Sequence, residues 1–368
     1  MVSDFDVISG LLGLKYMATI KDVAKRANVA ISTVSNVITG KKYVSNDIRE
    51  RVEKAITELQ YSTNYVARSM KSKQSMKIGF IALDLCGLFF PFVLKSAYGI
   101  ASENGYSMTV SDSNSDFEQE KQNITDFIAQ QVDGIIFSSI VPDSGKEEYA
   151  SYLKKEVAKS GKQIFLVSIE RDFSMYGIDS ICTDYYPGAC EAVQHLIDQG
   201  CRFLAHITAP EGTGASRLAA FKNTLEKNGI TPDPKLIIPG DLTHTCGYEC
   251  AMQLLKSSSK CDGIFVANDQ MALGVLQAMH EQNVRVPEDM KIVGFDDIFI
   301  NQSLTPPLSS VHVQKRNLGS HAMQTLLRRI REDETSDVFK ETLPSHLVIR
   351  ASSDESYDIT KNIDHTNW

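Results

Sequence analysis

The chain has 368 residues, of which 42% are hydrophobic and 23% charged, as in an ordinary globular protein of two or three domains. It contains no apolar run of membrane-spanning length, and its seven cysteines include no C-x-x-C pair, which excludes a membrane-spanning chain and argues against a disulfide framework. The net charge of −8 is unevenly distributed: residues 17–77 carry 12 Lys and Arg against 5 Asp and Glu, whereas residues 78–368 carry 25 against 39. A basic head on an acidic body predicts that the head binds a polyanion.

Residues 1–16 form a leader that makes a poor signal peptide. Asp4 and Asp6 precede its short apolar patch, and no small-residue cleavage pattern follows. We expect Met17 to be the natural start, with residues 1–16 an extension or a disordered arm. With its thiols reduced, the protein is expected to be cytoplasmic.

Residues 19–38 predict two short helices joined by a tight turn. Thr19 can cap the first helix with Asp22 completing a capping box, and Asn28 can adopt the left-handed conformation at the turn. The second helix is predicted from about Ser32, with an apolar stripe on one face and short polar side chains on the other. This geometry favours a helix-turn-helix whose second helix lies in the DNA major groove, the alternative being a helical hairpin in a larger domain. The candidate DNA-facing residues here are Thr19, Ser32, Thr33 and Asn36.

A third helix is predicted over residues 45–60, where five apolar residues face inward and complete a small domain. The next segment, residues 64–73, is too short to be helical in isolation and places basic residues beside an apolar one. We expect it to order on DNA from a cap at Asn64, with Met70 wedged into the minor groove and Arg68 and Lys71 at phosphates or groove edges. A plain polar linker is the alternative.

From residue 77 onward, short β-rich runs alternate with amphipathic stretches, which predicts parallel sheets covered by helices on both faces. Residues 132–139 (VDGIIFSS) and 261–268 (CDGIFVAN) echo each other, so two similar α/β lobes with a cleft between them are expected. Ligands of such sheets bind at the carboxyl ends of the strands. The predicted strands are residues 78–83, 106–112, 133–139, 163–168, 203–208, 235–238, 262–268 and 291–296.

Polar and aromatic residues follow several of these strands. Aromatic faces with opposed Arg and Asp groups suit a small polyhydroxylated or heterocyclic ligand. Structural alternatives exist: Phe89–Phe90 could be core, Glu170–Arg171 a surface ion pair, and Asp184 and Asp269 helix N-caps. The candidates are Phe89, Phe90, Glu170, Arg171, Asp184, Arg217, Asn268, Asp269 and Asp296.

Other motifs are incomplete. Residues 212–217 (GTGASR) lack the third glycine of a dinucleotide fingerprint, and residues 112–116 (DSNSD) lack the glycine and distal Glu of a calcium loop. Cys246 and Cys250 lie one helical turn apart near His244, but no fourth metal ligand is evident. No catalytic signature appears, so we predict no cofactor, no metal and no enzymatic activity.

The order of these motifs resembles the lactose/purine repressor family of bacterial transcriptional regulators over residues 17–352. The resemblance implies a helix-turn-helix head (17–63), a hinge helix and linker (64–76), a two-lobed body similar to periplasmic sugar-binding proteins (77–352) and a tail (353–368). It also implies a homodimer on palindromic double-stranded operator DNA, with a small effector in the cleft that switches DNA affinity. The motifs are TIKDVAKRANV, STVSNVI, NYVARSMKSK, VDGIIFSS, RLAAF, ANDQMALGVL, VPEDMKIVGFDD and TPPLSSV.

The resemblance also assigns roles to individual residues. Ile31, Ser32 and Asn36 match base-reading positions, and Met70 matches the hinge residue that pries open the central base step, followed by Lys71. The residues that match pocket-lining positions are Phe89, Phe90, Arg171, Thr213, Arg217, Asn268 and Asp296.

Five departures from the family pattern refine these expectations. Ala30 replaces the Ser that caps the recognition helix in relatives, which would move the cap to Ser32. Asn36 replaces an Arg or His, and Asn favours adenine in the major groove. Leu242 replaces an aromatic that covers the ligand in some relatives, and the loop before Arg217 lacks a basic residue of purine-binding members. The tail has no leucine heptad for tetramer formation.

The sequence therefore predicts a homodimeric DNA-binding transcriptional regulator, expected to act as a repressor, whose effector is a sugar or sugar phosphate. A nucleobase-responsive repressor is one alternative. A solute-binding protein is another, against which the basic head and the missing signal peptide argue.

Overall fold

The structure is a computed structural model that describes residues 18–39, 42–61, 74–332 and 337–358. The chain divides into two compact units between Ser75 and Met76. The leader and the predicted DNA contacts Asn64, Arg68, Met70 and Lys71 lie outside the described residues.

The first unit contains three helices, α1 (Ile20–Ala27), α2 (Ile31–Thr39) and α3 (Asn46–Glu58). These confirm the three predicted helices to within a few residues. Asn28 is left-handed at φ 53°, as predicted, so the chain turns sharply between α1 and α2. Among the described residues of this unit, the fully buried apolar side chains are those of Val and Ala, with partly buried Ile, Leu and Tyr side chains packed against them. The buried positions are Val23, Ala24, Ala27, Val34, Val37, Val44, Val52 and Ala55.

The start of α2 corrects one expectation. The helix begins at Ile31, and the carbonyl of Ala30 accepts from Thr33 (2.9 Å) and Val34 (3.2 Å). Ser32 is therefore inside the helix with an exposed side chain, and the cap does not move to it. A backbone carbonyl starts the helix without a capping side chain, which leaves the Ser32 hydroxyl free of a capping role.

The second unit is built on two six-stranded sheets, which confirms the predicted two-lobed α/β fold. The strands are β1 (Lys77–Ala82), β2 (Ser107–Asp112), β3 (Gly134–Phe137), β4 (Phe165–Ile169), β5 (Asp179–Thr183), β6 (Leu204–Ile207), β7 (Ile237–Ile238), β8 (Gly263–Val266), β9 (Lys291–Asp296), β10 (Ser309–Val313), β11 (Lys340–Leu343) and β12 (Ser345–Val348). The first lobe has the strand order β11-β5-β4-β3-β1-β2, with parallel pairs throughout its described strands. The second has the order β12-β10-β9-β8-β6-β7, in which β10 and β12 pair antiparallel and the other described pairs are parallel.

Helices cover both faces of each sheet, each with its own buried apolar cluster. The helices of the first lobe are α4 (Phe90–Glu103), α5 (Phe117–Ala129), α6 (Lys146–Lys159) and α11 (Lys315–Glu332). Those of the second are α7 (Tyr185–Asp198), α8 (Glu211–Lys227), α9 (His244–Lys256) and α10 (Asp269–Glu281).

The chain passes between the lobes three times, at Asp184, Gln314 and Pro344, a feature that the strand pattern did not predict. Two of these passages are joined, because the Asp184 N–H donates to the Leu343 carbonyl (2.9 Å) and the Ser345 hydroxyl donates to the Asp184 carbonyl (2.6 Å).

The strands predicted from the sequence ended at residue 296 and did not include β5, β10, β11 or β12. β11 and β12 lie at the edges of the two sheets, where alternation is weak.

The helix α11 packs closely against the sheet of the first lobe. A Cβ at Gly134 in β3 would lie 2.5 Å from the Leu326 side chain, so the absence of a side chain at Gly134 leaves room for the helix.

Across the described ranges, none of the helices combines the length and the apolar character needed to cross a membrane.

Candidate effector cleft and DNA-binding surface

The polar face of α2 forms the candidate DNA-binding surface of the first unit. Ile31 is 41% exposed and Ser32 is also exposed, while Thr33 and Asn36 are half-buried. A large apolar side chain exposed beside short polar ones is unusual for a solvated helix and suits contact with base edges.

Side-chain hydrogen bonds stabilise the start of α1 and the turn that leads from it to α2. Asp22 accepts from the Thr19 N–H (2.8 Å) and hydroxyl (2.7 Å), which confirms the reciprocal contact expected at the start of α1 and lowers the pKa of Asp22. Arg51 of α3 donates to the carbonyls of Ala27 (2.6 Å) and Asn28 (3.2 Å). The turn between the two helices is thus tied to the third.

In the second unit, the carboxyl ends of both sheets meet across a closed cleft. Glu170, after β4 of the first lobe, accepts from the hydroxyl of Tyr185 at the start of α7 in the second lobe (2.7 Å) and from Ser138 (2.9 Å). Glu170 therefore does not pair with Arg171 at the surface, and that alternative is wrong. The rings of Phe92 and Phe299, also from opposite lobes, lie 5.9 Å apart.

Arg217 lies at the centre of the second lobe's side of the cleft. Its guanidinium is 4.8 Å from the ring centroid of Phe295 and 5.0 Å from that of Tyr185, and Nη2 donates to the Thr213 carbonyl (2.8 Å). Arg217 is only 5% exposed, yet its Nε has no acceptor anywhere in the described part of the chain. A buried cation with an unused donor is costly without a ligand.

The segment before Arg217 differs from its prediction. Residues 212–217 are not a glycine-rich loop but the first turns of α8, which runs from Glu211 to Lys227. Gly214 is required by packing, because a Cβ there would lie 2.5 Å from the Ala209 carbonyl oxygen. Thr213 lies in the first turn, where its hydroxyl donates to Pro210 (3.3 Å).

Asp296 ends β9 with φ 103°, a conformation that side chains rarely adopt. Burial, together with the charge of Asp269, raises the pKa of Asp296 well above its ordinary value, although Arg217 and Lys315 oppose this. The Lys315 ammonium donates to the carbonyls of Asp296 and Asp297, which fixes the backbone under the carboxyl.

Asn268 takes the cap position that was the structural alternative for Asp269. Asn268 is the cap of α10, accepting from Met271 N–H (2.9 Å) and donating to the Leu242 carbonyl (3.0 Å). Asp269 is not the cap. It is fully buried and accepts from the Ile298 N–H, Asn301 and Ser310, and burial raises its pKa to about 7.

Arg171 lies on the first lobe's side of the cleft and is 8% exposed. Its Nη2 donates to the Val141 carbonyl (2.8 Å) and to Asp143 (2.7 Å), whereas its buried Nη1 has no acceptor among the residues that the structure describes.

The remaining predicted positions divide between core, cleft and surface. Phe90 is 5% exposed and belongs to the core of the first lobe, while the half-buried Phe89 packs against clusters of both lobes. Asp184 is exposed and caps α7 through the Tyr186 N–H (3.1 Å), which confirms the N-cap alternative for this residue. The structure thus brings Phe89, Arg171, Arg217 and Asp296 to the cleft.

Glu120 was not singled out in the sequence, yet its carboxyl is fully buried behind this site, beside Tyr149, Ser139 and Arg171. Burial raises the pKa of Glu120 to about 7, because the lost hydration outweighs the opposing effects of Tyr149, Ser139 and the Arg171 charge.

Replacing Glu120 by Gln should stabilise the protein at alkaline pH. The unfolded chain loses this proton near pH 4.5 and the folded chain near pH 7, so the free energy of unfolding of the wild type falls by about 3 kcal/mol as pH rises through this window. Urea denaturation at pH 5 and pH 8 should show the gain for Glu120→Gln at pH 8 only. The exposed Glu118→Gln on the same helix is the control, and an equal gain at both pH values would contradict this assignment.

Two residues of the cleft, Tyr185 and Lys315, were not predicted from the sequence. Tyr185 begins the helix after an inter-lobe passage, and Lys315 begins the helix after another. Both residues begin a helix at a point where the chain crosses from one lobe to the other. This shared feature would have identified them, but the crossing points are known only from the tertiary structure.

The described residues contain no group of three or more potential metal ligands. The Cys246 and Cys250 sulfurs lie 3.8 Å apart in α9, and burial raises the pKa of both thiols.

A helical head joined to a two-lobed α/β body with a polar cleft defines a ligand-controlled DNA-binding regulator. Residues 19–64 match the family model of bacterial regulatory proteins of the lacI family, and residues 193–353 match a periplasmic binding protein-like domain.

Relatives match over nearly the whole chain. The chain is 31% identical to the ribose operon repressor of Halalkalibacterium halodurans over 92% of this chain and 97% of that protein. It is 33% identical to catabolite control protein A of Priestia megaterium over 91% and 99%. A structure of the lac repressor dimer bound to operator and the anti-inducer ONPF covers 92% of this chain and 99% of its own, with a TM-score of 0.78 and 29% identity. The chain belongs to the lacI family of bacterial regulatory proteins, which confirms the prediction of a transcription regulator rather than an enzyme.

Proposed function

We propose that this protein is a cytoplasmic repressor that binds a palindromic operator as a homodimer and is controlled by a carbohydrate effector held between the two lobes. The acceptors and donors of the effector are Arg171, Arg217 and Asp296, with Phe89 as the apolar contact, whereas Asn268, also predicted to bind the effector, is engaged as the cap of α10. The base contacts are Ile31, Ser32 and Asn36. The similarity to a ribose operon repressor supports a carbohydrate over a nucleobase.

One observation carries the effector site: each of the two cleft arginines keeps a buried N–H without an acceptor in the described structure. An unsatisfied buried donor costs about 1–3 kcal/mol, more for a charged group. Hydroxyl oxygens of a carbohydrate would satisfy these donors, so the cost is recovered only when the effector binds.

The cleft contacts suggest how binding reaches the DNA. The effector would stabilise the closed arrangement that the contact between Glu170 and Tyr185 already favours. It changes operator affinity only to the extent that it binds the closed and open arrangements differently.

The test is selection of operator DNA from a random pool by the full-length protein, followed by titration with carbohydrates. We expect an inverted-repeat site whose affinity changes on addition of one carbohydrate class. No preference for any inverted repeat over bulk DNA at moderate salt would refute the proposal.

On that site, Asn36→Ala should weaken binding by about 1–3 kcal/mol and leave binding to random DNA nearly unchanged, because a lost base contact removes specificity rather than charge. Electrophoretic shift on both DNAs measures the difference. The exposed Thr57→Ala on α3 is the control, and equal losses on both DNAs would mean that Asn36 does not read a base.

A further inference from the structure

Two histidines lie side by side on neighbouring strands of the second lobe. His312 of β10 and His346 of β12 are directly opposite each other in the antiparallel register, so both side chains lie on the same face of the sheet. Their ring centroids are 5.2 Å apart, and the ring planes are inclined by 41°. His346 is exposed and the His312 side chain is 23% exposed, so solvent reaches both rings.

A buried carboxylate fixes the proton position on His312. Its Nδ1 lies 2.9 Å from Oδ2 of Asp297. Against the effect of burial, this hydrogen bond and the charge of Arg350 lower the pKa of Asp297, so its carboxylate is ionised and can only accept. Nδ1 therefore carries the proton of the neutral imidazole, and Nε2 keeps a lone pair. Histidines that bind metal ions are oriented in the same way, since their second ring nitrogen usually donates to a carboxylate or carbonyl.

The spacing of the two rings fits a metal ion held between them. A metal–nitrogen distance of about 2.0–2.1 Å puts the metal about 3.2 Å from each ring centroid. At a tetrahedral angle the two centroids are then about 5 Å apart, in agreement with the observed 5.2 Å. No hydrogen bond to the His346 ring is found among the described residues, so this ring can turn toward an ion without losing one.

Two cations lie near Asp297, and both are engaged. Arg350 pairs with Asp297 (2.8 Å) and donates to the Leu308 carbonyl (2.7 Å). The Lys315 ammonium donates to the carbonyls of Asp297 (3.0 Å) and Val313 (3.2 Å). Both cations are buried, whereas the histidine rings are accessible to water, which screens the remaining repulsion.

We propose that His312 and His346 bind a divalent transition-metal ion of the zinc, nickel and copper group, with Nε2 of His312 and one ring nitrogen of His346 as ligands. Neutral imidazole is a preferred ligand of these ions. The described residues add no third His, Cys, Asp or Glu ligand here, so water completes the coordination. The affinity is therefore expected to be lower than that of a structural zinc site with four protein ligands.

A metal ion at this position would cross-link two of the segments that connect the lobes. His312 lies just before the passage at Gln314, and His346 lies just after the passage at Pro344. Because the ion binds both strands only in the folded chain, it should raise the melting temperature of the second unit. Binding does not require the effector.

Calorimetric titration of the full-length, tag-free protein with Ni²⁺ and with Zn²⁺ tests the site, and thermal melting with each ion measures the stabilisation. We expect saturable binding of both ions and a higher melting temperature. Mg²⁺ at the same ionic strength is the control ion and should do neither, since it prefers oxygen ligands.

Substitutions locate the bound ion. His312→Gln and His346→Gln should each weaken Ni²⁺ binding by at least about tenfold, because each removes one of the two protein ligands. Asp297→Asn should weaken it by about tenfold with both ligands in place, because the orientation of His312 is lost. His346 is exposed, so His346→Gln is expected to fold even if Asp297→Asn does not. The controls are His280→Gln, at an exposed histidine of α10, and Cys246→Ser, which tests the thiols of α9.

Losses in both histidine variants, with the two controls unchanged, are the expected result. Absence of saturable Ni²⁺ and Zn²⁺ binding overturns the proposal. Wild-type Ni²⁺ affinity in either His312→Gln or His346→Gln also overturns it, because a site shared by the two rings requires both.

Discussion

Replacing Arg217 by Met should abolish the effector response and make the effector-free protein more stable. The guanidinium is buried between the rings of Tyr185 and Phe295, and its Nε has no acceptor in the described structure. Methionine fills much of the same volume without a charge to desolvate, so the free energy of unfolding should rise by about 1–3 kcal/mol. Effector affinity should fall at least about 100-fold, since the lost cation donates charged hydrogen bonds to the ligand.

Thermal melting without effector and effector titration of the operator complex measure the two effects. Lys222→Met is the matched control, because Lys222 lies on the exposed face of the same helix, α8. A variant that loses stability and retains its effector response would show that Arg217 supports the fold instead of the ligand.

Replacing Val34 by Asp should unfold the first unit and abolish operator binding. Val34 is fully buried on α2, in a small core whose fully buried described members are Val and Ala side chains. Burial of an unpaired carboxylate costs at least about 4 kcal/mol, which exceeds the stability expected of so small a core.

The second unit has its own core, so its thermal transition should not change. Calorimetry of the full chain should therefore lose one transition and keep the other, and effector binding should persist. Thr57→Asp places the same charge on an exposed position of α3 and should leave both transitions intact. Operator binding by a Val34→Asp variant would contradict the assignment of α2 as the recognition helix.

The burial of Val34 can be predicted from the sequence, whereas the surroundings of Arg217 cannot. The burial of Val34 follows from the sequence, because period 3.6 in α2 places it on the apolar face and the turn at Asn28 fixes the partner helix. The surroundings of Arg217 do not, because Tyr185 and Phe295 lie 32 and 78 residues away along the chain. Contacts between residues so far apart in the chain produce no local sequence pattern from which they could be predicted.

The same distinction applies throughout the cleft. Glu170 and Arg171 are adjacent in sequence and read as an ion pair, but the positive φ of Glu170 turns the two side chains to different partners. Asp269 could have been a helix cap by its sequence position, but Asn268 is the cap. Asp269 instead accepts a hydrogen bond from Ser310 in a buried network. Adjacent residues differ because backbone direction, which sequence patterns do not specify, decides what each side chain meets.

By itself the sequence determined the helix-turn-helix, the alternation of strands and helices, the two lobes and the residues at the strand ends, since all of these follow from periodicity, turn chemistry and charge within short windows. The tertiary structure alone decided the three passages between the lobes, the contact of Tyr185 with Glu170 and the approach of Arg171 to the N-terminus of α8. Each of these joins residues from opposite lobes, and their positions depend on how two separately folded sheets close on each other.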